Sequence, residues 1–329
     1  MQRDQLPRFR PAANYVLPQW KLVYVSNPKA ACTSIKWILA DLQGVEADRF
    51  YRTIRYETTR ATTIHRERQV WGETPRLRNL SDEQLAEITP ENGWLVFTAS
   101  RHPATRLWSG WQSKLLLREP MYYTRFGEES WFPRIPRSAD DVIDDWFRFI
   151  EAVREDPAIK IMQDVHFRGQ AKQLAIGTVP YDRIYDTSEF GELLEDVTKH
   201  VQKLGWEGEL SVRRSNETPL PALARAFPAQ VLEVVQDVYA EDYNAFDYPR
   251  SVPRGVRTDD DYPKDLVASV GILVERHDRI GDLTRSAKAL RRRARIAAKK
   301  AAAAPPPRKA PPPPPTLGQR ISRRVPFLK

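Results

Sequence analysis

Two segments of the 329-residue chain carry residue types that could hold phosphate. The first, Ser26-Asn27-Pro28-Lys29-Ala30-Ala31-Cys32-Thr33-Ser34-Ile35-Lys36, follows a short apolar run and opens an amphipathic one. A tight loop of small residues entering a helix leaves the first backbone N–H groups unpaired. The positive end of the helix dipole adds to them and makes an anion site. Lys29 contributes a mobile charge, Thr33 and Ser34 contribute hydroxyls, and Ala30, Ala31, Cys32, Thr33 and Ser34 contribute backbone donors. The pattern is not Walker A, because the lysine precedes the small residues. That disfavours a metal-dependent nucleoside triphosphatase, and an ordinary polar turn is the plain alternative. The second segment, Ser100-Arg101-His102-Pro103-Ala104-Thr105-Arg106-Leu107-Trp108-Ser109-Gly110-Trp111, ends another apolar run. Arg101 there and Ser109, about two helical turns on, can converge on a second phosphate, the arginine through its bidentate fork.

These residues need elements to position them. Lys21–Ser26 and Trp94–Ala99 are short, β-branched or aromatic runs, and both read as strands. A third strand is expected over Arg183–Tyr185. Helices are expected over Thr33–Leu42, His102–Leu117, Asp140–Glu155, Glu189–Leu204 and Ala229–Ala240. Pro103 suits a first helical turn, and Ser138 suits a cap. Strands alternating with helices predict an α/β fold: a three-layer, P-loop-like domain whose central parallel sheet is flanked by helices. Ligand residues then gather at the carboxyl edge of the sheet. The expected organisation is an N-terminal segment over 1–20, the domain over 21–250 and a linker over 251–262. A helical extension over 263–300 and an Ala/Pro-rich basic tail over 301–329 follow. The segment 45–90 is polar and irregular, long enough to lie over an active site.

Taken together, the two phosphate segments resemble the cofactor motifs of the sulfotransferases. The nearest type is the carbohydrate sulfotransferases of the chondroitin and dermatan kind (sulfotransferase family 2), in a bacterial-type cytoplasmic form. The resemblance continues through His166-Phe167-Arg168-Gly169-Gln170, through Tyr181-Asp182-Arg183-Ile184-Tyr185 with Glu189, and through Asn216. It closes at Tyr239, Asp242, Tyr243, Phe246 and Tyr248, and so covers roughly Lys21 to Pro249. It implies 3′-phosphoadenosine 5′-phosphosulfate (PAPS) as sulfuryl donor, with the 5′-phosphosulfate on the first motif and the 3′-phosphate on Arg101 and Ser109. Departures are His102, where the family has Asp, and Gly110-Trp111, where it has Ala and Tyr or Phe.

Sulfuryl transfer needs positioning and neutralisation of leaving-group charge, as phosphoryl transfer does. Lys29 is the natural group for the leaving oxygen. No metal is needed, and no Cys/His cluster that would bind one stands out in the sequence. The acceptor hydroxyl, of a sugar or glycolipid, needs a base. The five histidines are His65, His102, His166, His200 and His277. His65 lies where related enzymes can carry a catalytic histidine and is the expected base, with Glu57 and Glu67 open alternatives. His102 abuts Arg101 and reads as structural. Cys32 sits where a helix would lower a thiol pKa, yet no partner marks it as a nucleophile. Trp71, Tyr122, Tyr123, Trp131 and Phe132 read as core residues, with a sugar-stacking wall as the alternative. The competing function class is a kinase-like or non-catalytic P-loop protein preferring ATP and Mg²⁺.

Net charge is +9, but Arg285 to Lys329 holds fourteen Lys and Arg and no acid, leaving the preceding 284 residues at −5. The basic balance is therefore no evidence for a nucleic-acid-binding core, and no nucleic-acid partner is expected. One cysteine fits a reducing compartment, and neither a secretory signal nor a membrane span is visible, so a cytoplasmic location is expected. Leu266, Val270, Leu273, His277, Ile280, Thr284 and Ala287 follow heptad spacing. That seam predicts either docking on the enzyme body or self-association through 263–290. The basic end predicts peripheral attachment to an anionic membrane surface.

Overall fold

Alternation along the strands decides the layers. In the computed structural model, which describes residues 1, 6, 14–45, 64, 65, 71, 74–210, 212, 213, 217–258 and 261–303, four strands form one sheet. They are β1 (Asn14–Leu17), β2 (Leu22–Val25), β3 (Leu95–Ser100) and β4 (Arg183–Asp186), in that order across the sheet. Tyr15, Leu17, Leu22, Tyr24 and Phe97 pack with helices on one face. Val16, Val23, Val25 and Val96 pack on the other. Successive side chains of a strand point to opposite faces, so this period of two gives a sheet covered on both sides. Glu57, Glu67, Asn216 and the tail beyond residue 303 lie outside the described residues.

The expected sheet is corrected at one edge. β2, β3 and β4 are parallel, but β1 pairs antiparallel with β2. Only the three-residue turn Pro18–Trp20 and Lys21, in the left-handed region at φ 41°, separate the two strands, which leaves no room for a crossover. The sheet therefore begins at Asn14, ahead of residue 21.

The helices are α1 (Cys32–Leu42), α2 (Asp82–Ala86), α3 (Pro103–Trp111), α4 (Pro120–Phe126) and α5 (Ala139–Glu155). After them come α6 (Gln170–Leu174), α7 (Phe190–Lys203), α8 (Ala229–Val238), α9 (Ala240–Phe246) and α10 (Lys264–Ala303). α1 and α7 cover the Tyr24 face through Ile35, Ile38, Leu193 and Val197. α2 and α6 lie on the opposite face through Leu85 and Leu174. A separate helical core holds α3, α5 and α8 together around Trp108, Trp111, Trp146 and Phe227. Trp108 stacks on Trp111 at 5.2 Å and meets Trp146 edge-on at 5.1 Å. Each such buried tryptophan is worth about 3–5 kcal/mol against alanine, which makes α3 a rigid support. Trp71, Tyr122, Trp131 and Phe132 are buried as well, so they are core residues rather than an open stacking wall.

The contacts divide the chain into two units, 1–284 and 285–329, and α10 runs from one into the other. Within the first unit, Val267, Val270, Val274 and His277 of α10 are buried. His277 Nδ1 donates to the Leu117 carbonyl, and Arg118 grips Asp278 at 2.7 and 2.8 Å. Gly271 and Gly281, costly in an isolated helix, lie where a Cβ would meet the Pro136 carbonyl at 2.9 Å and the Tyr123 ring at 2.6 Å. The helix thus passes close to the body only because these positions lack side chains. Val270 and His277 of the heptad seam are spent on the chain itself.

Candidate functional site

The loop between β2 and α1 is shaped for an anion. Lys29 and Ala31 have φ of 72° and 52°, left-handed values that non-glycine residues seldom take. Residues alternating between right- and left-handed backbone turn successive N–H groups inward to one concavity. Cys32, Thr33 and Ser34 open α1, so helix geometry leaves their N–H groups free of intrahelical partners. Buried side chains hold the loop from behind. Asn27 donates to the Ala99 carbonyl (2.9 Å) and to Gln170 Oε1 (2.8 Å), and Arg106 Nε donates to the Pro28 carbonyl (3.0 Å). Strain at Lys29 and Ala31 persists because these bonds over-determine the loop.

The second segment lies alongside. Arg101 Nη1 reaches the Lys29 carbonyl at 3.4 Å, and its Nε donates to Thr105 Oγ1 at 3.3 Å. Lys29 Nζ donates to Ser113 Oγ at 2.8 Å. Thr105, Ser109 and Ser113 recur every four residues, so they form one row along the helix. Ser109 therefore stands between the row member that holds Arg101 and the one that holds Lys29. Ser113 and Lys114 lie on a π turn, Gln112–Leu116, that continues α3. Such turns often mark functional sites, and neither residue stood out in the sequence.

Cations crowd Lys29, while Asp186 and Asp242 act on Arg101 and Arg106 from behind. Burial, then Lys114, then Arg101 and Arg106 push the Lys29 amine down to about 7. A crowd of cations facing unpaired N–H groups is an arrangement that an anion stabilises. Among the described residues no group of carboxylate, histidine or cysteine ligands suited to a metal occurs.

With that geometry in view, the comparison with known families is decisive: residues 14–249 match the sulfotransferase family. This chain is a member of the sulfotransferase family. No curated protein and no solved structure matches it. The sulfotransferase is thus a sulfuryl-transferring enzyme by family, and no described helix is long and apolar enough to cross a membrane.

Other motif residues of this sulfotransferase hold the two phosphate segments in place. Gln170 accepts from Asn27 and from the Arg101 N–H (3.1 Å) and donates back to the Arg101 carbonyl (2.8 Å). Asp242 accepts from the N–H groups of Gln170 and Ala171, both at 2.8 Å. Tyr248 bridges Ser100 (2.8 Å) and Asp186 (2.7 Å). His102 caps α3, accepting from the Ala104 N–H, and bonds the Pro249 carbonyl at 3.0 Å. Tyr248 and Asp242 of the closing motif therefore clamp the second segment and the Gln170 turn behind both segments. Ser34 Oγ bonds the Arg213 carbonyl at 3.1 Å, and Cys32 is half-buried beside the cradle.

His65, the expected base, is tied up at both nitrogens. Lys36 Nζ lies 3.1 Å from Nδ1 and can only donate, which leaves Nε2–H to donate to Thr33 Oγ1 at 2.9 Å. Burial and the neighbouring lysines hold this imidazole well below its ordinary pKa. In this geometry it has no lone pair to offer an acceptor, and instead turns the Thr33 hydroxyl proton outward. His166 differs. Its Nδ1 is 2.7 Å from Asp164 Oδ1, and Tyr122 OH donates to that same oxygen at 2.7 Å. Asp164 carried no sequence signal, and Tyr122 stood out only as an aromatic, because their meeting with His166 is tertiary.

Proposed function

We propose that this sulfotransferase moves the sulfuryl group of PAPS to a hydroxyl of a carbohydrate or glycolipid. The observation that supports the donor most strongly is the joined pair of anion subsites. The α1 cradle and the Thr105–Ser109–Ser113 row meet at Lys29, whose carbonyl touches Arg101 and whose amine touches Ser113. A nucleotide with separate 5′ and 3′ anions suits such a pair. When bound, the donor supplies an activated sulfur–oxygen bond with phosphate as its leaving group. The N–H groups of Cys32, Thr33 and Ser34 would hold the 5′ anion, and Arg101 and Ser109 the 3′-phosphate. The protonated Lys29 amine would neutralise charge on the departing oxygen, which is where electrostatic catalysis acts. The acceptor class rests on the likeness to carbohydrate sulfotransferases.

Calorimetry with adenosine 3′,5′-bisphosphate in a chelator, followed by a screen of radiolabelled PAPS against sugar, lipid and phenol hydroxyls, tests the reading. Tight metal-free binding and label on a sugar hydroxyl are expected. Preference for ATP with Mg²⁺ would make the protein kinase-like, and labelled phenols alone would move the acceptor class.

A further inference from the structure

The structure holds a second histidine arrangement, at His166 of the His-x-x-x-Gln segment, whose ring feels the charges of Lys114 and Lys29. Asp164 Oδ1 receives the His166 N–H at 3.0 Å, the Tyr122 hydroxyl at 2.7 Å and His166 Nδ1 at 2.7 Å. A carboxylate accepts, so Nδ1 carries the proton and Nε2 keeps its lone pair. The imidazole is 26% exposed, and Nε2 has no partner among the described residues. One buried guanidinium ties this loop to the cradle: Arg106 bonds the Pro28 carbonyl on one side and the Val165 and Arg168 carbonyls, flanking His166, on the other. Gly110 lets α3 approach, since a Cβ there would sit 3.1 Å from the His166 carbonyl. Asp164, Tyr122, Lys114, Lys29 and His65 are the titratable groups around the ring. Burial and Lys114 hold it near 3 against the pull of Asp164, so it is neutral at physiological pH.

We infer that His166, oriented by Asp164 and Tyr122, is the general base that takes the proton of the acceptor hydroxyl. The inference rests on the sulfuryl-transfer reading above. As the acceptor oxygen bonds to sulfur, its O–H proton passes to His166 Nε2. The sulfur–oxygen bond to the donor phosphate breaks, and its electron pair leaves with the phosphate beside Lys29. The imidazolium then returns its proton to solvent. His166 is the catalytic residue; Asp164 and Tyr122 are positioning residues.

Two readouts on the full-length protein test this. Diethyl pyrocarbonate, mapped by peptide mass spectrometry, should modify His166 well ahead of His65 and His102, whose nitrogens are engaged, and bisphosphate should protect it. Asp164→Asn should slow that modification several-fold, because the proton is then free to occupy Nε2. Release of bisphosphate from PAPS in single turnover, with water as acceptor, should fall at least about 100-fold in His166→Gln, with bisphosphate Kd within about threefold of wild type. His166 reacting no faster than His65, or His166→Gln retaining near-wild-type turnover, overturns the assignment. Wild-type protein that fails to bind bisphosphate would instead sink the donor reading, and the modification pattern would still judge the dyad.

A second surface stands apart from the site. Between residues 285 and 303 the helix carries eight Lys and Arg and no acid. At 100° per residue, Ala287, Leu290, Ala294 and Ala297 share one face, and the basic residues take the remaining arc with Ile296. Leu290 is 62% exposed. The geometry points to an anionic lipid bilayer as the occupant of this face. A bilayer takes both halves, apolar stripe and cationic arc. Nucleic acid would leave the stripe wet, and a second copy would oppose two all-cationic helices. Full-length protein should sediment with phosphatidylglycerol-containing vesicles and not with pure phosphatidylcholine. Leu290→Asp and the pair Arg292→Glu, Arg293→Glu should each cut that binding several-fold. No preference for anionic vesicles, tighter binding to duplex DNA, or a dimer that Leu290→Asp dissolves would each overturn it.

Discussion

The proposed phosphate side and the proposed acceptor side of this site are built on different principles. The phosphate side is mostly backbone: a strained loop and the first turn of α1 present N–H groups, and buried Asn27, Arg106 and Gln170 hold them from behind. The acceptor side is all side chain. Lys114, Tyr122, Asp164 and His166 come from a π turn, a short helix and an irregular loop, and only tertiary packing brings them together. A backbone cradle needs neighbouring residues, so it can be written in one stretch of sequence. A proton-transfer group needs a lone pair and an orienting partner, which separate segments can supply.

Lys29 joins the two sides, so its loss should have the largest effect. Lys29→Ala should lower kcat by at least about 100-fold, because a charge stabilising the leaving group disappears. The bisphosphate Kd should change less, since the backbone donors remain. Single-turnover kinetics beside calorimetry separates the two, and equal losses in kcat and affinity would merge the sides into one. Arg101→Ala comes next and should act on the phosphate side alone. Loss of a charged hydrogen bond predicts about 10- to 100-fold weaker bisphosphate binding, with adenosine 5′-phosphate binding nearly unchanged. Ser109→Ala should show the same selectivity at about three- to tenfold. Equal weakening of both nucleotides would mean that these residues support the fold rather than read the 3′-phosphate.

The contrast also explains what could be read from sequence. Lys29, Thr33, Arg101 and the strands before them were legible because each motif directly follows a β run and opens a helix. β1 was not, because four residues beside a proline carry too little period-two pattern to stand out. The bonding of His65 was not legible in sequence. A histidine in a polar stretch says nothing of its tautomer, and that was decided by Lys36, which lies on α1 and points at Nδ1. Ser113 was invisible because the spacing that matters, every fourth residue from Thr105, emerges only once the helix and its π turn are known.

A smaller and one-sided effect is expected at Gly110, where α3 meets the His166 carbonyl at a would-be Cβ distance of 3.1 Å. Gly110→Ala should push that loop away and lower kcat about tenfold, at a stability cost of about 1–2 kcal/mol. Bisphosphate affinity should hold within about threefold, so a kcat-only loss keeps the two sides distinct. A matching loss of affinity would show that the acceptor loop also shapes the phosphate site, through Arg106.

The smallest effect is a single proton, taken up where the two sides join. The unliganded Lys29 amine lies near 7, so at about pH 8 most molecules carry it neutral. Two phosphates beside it favour the ammonium form and raise its pKa toward the ordinary lysine value of about 10.4. Binding bisphosphate should therefore take up a proton, approaching one per ligand at about pH 8. As pH falls below about 6 the free amine is already charged, and this uptake vanishes. Affinity follows the same sign: it should weaken as pH rises above 7, because each binding event must then recruit a proton. His166, held near 3, is neutral at pH 8 and contributes nothing. Calorimetry in buffers of different ionisation enthalpy measures the count directly. Lys29→Met should abolish the uptake at pH 8 while His166→Gln preserves it. Proton release at that pH, or uptake that survives Lys29→Met, would mean that the charge at the junction is carried by another group.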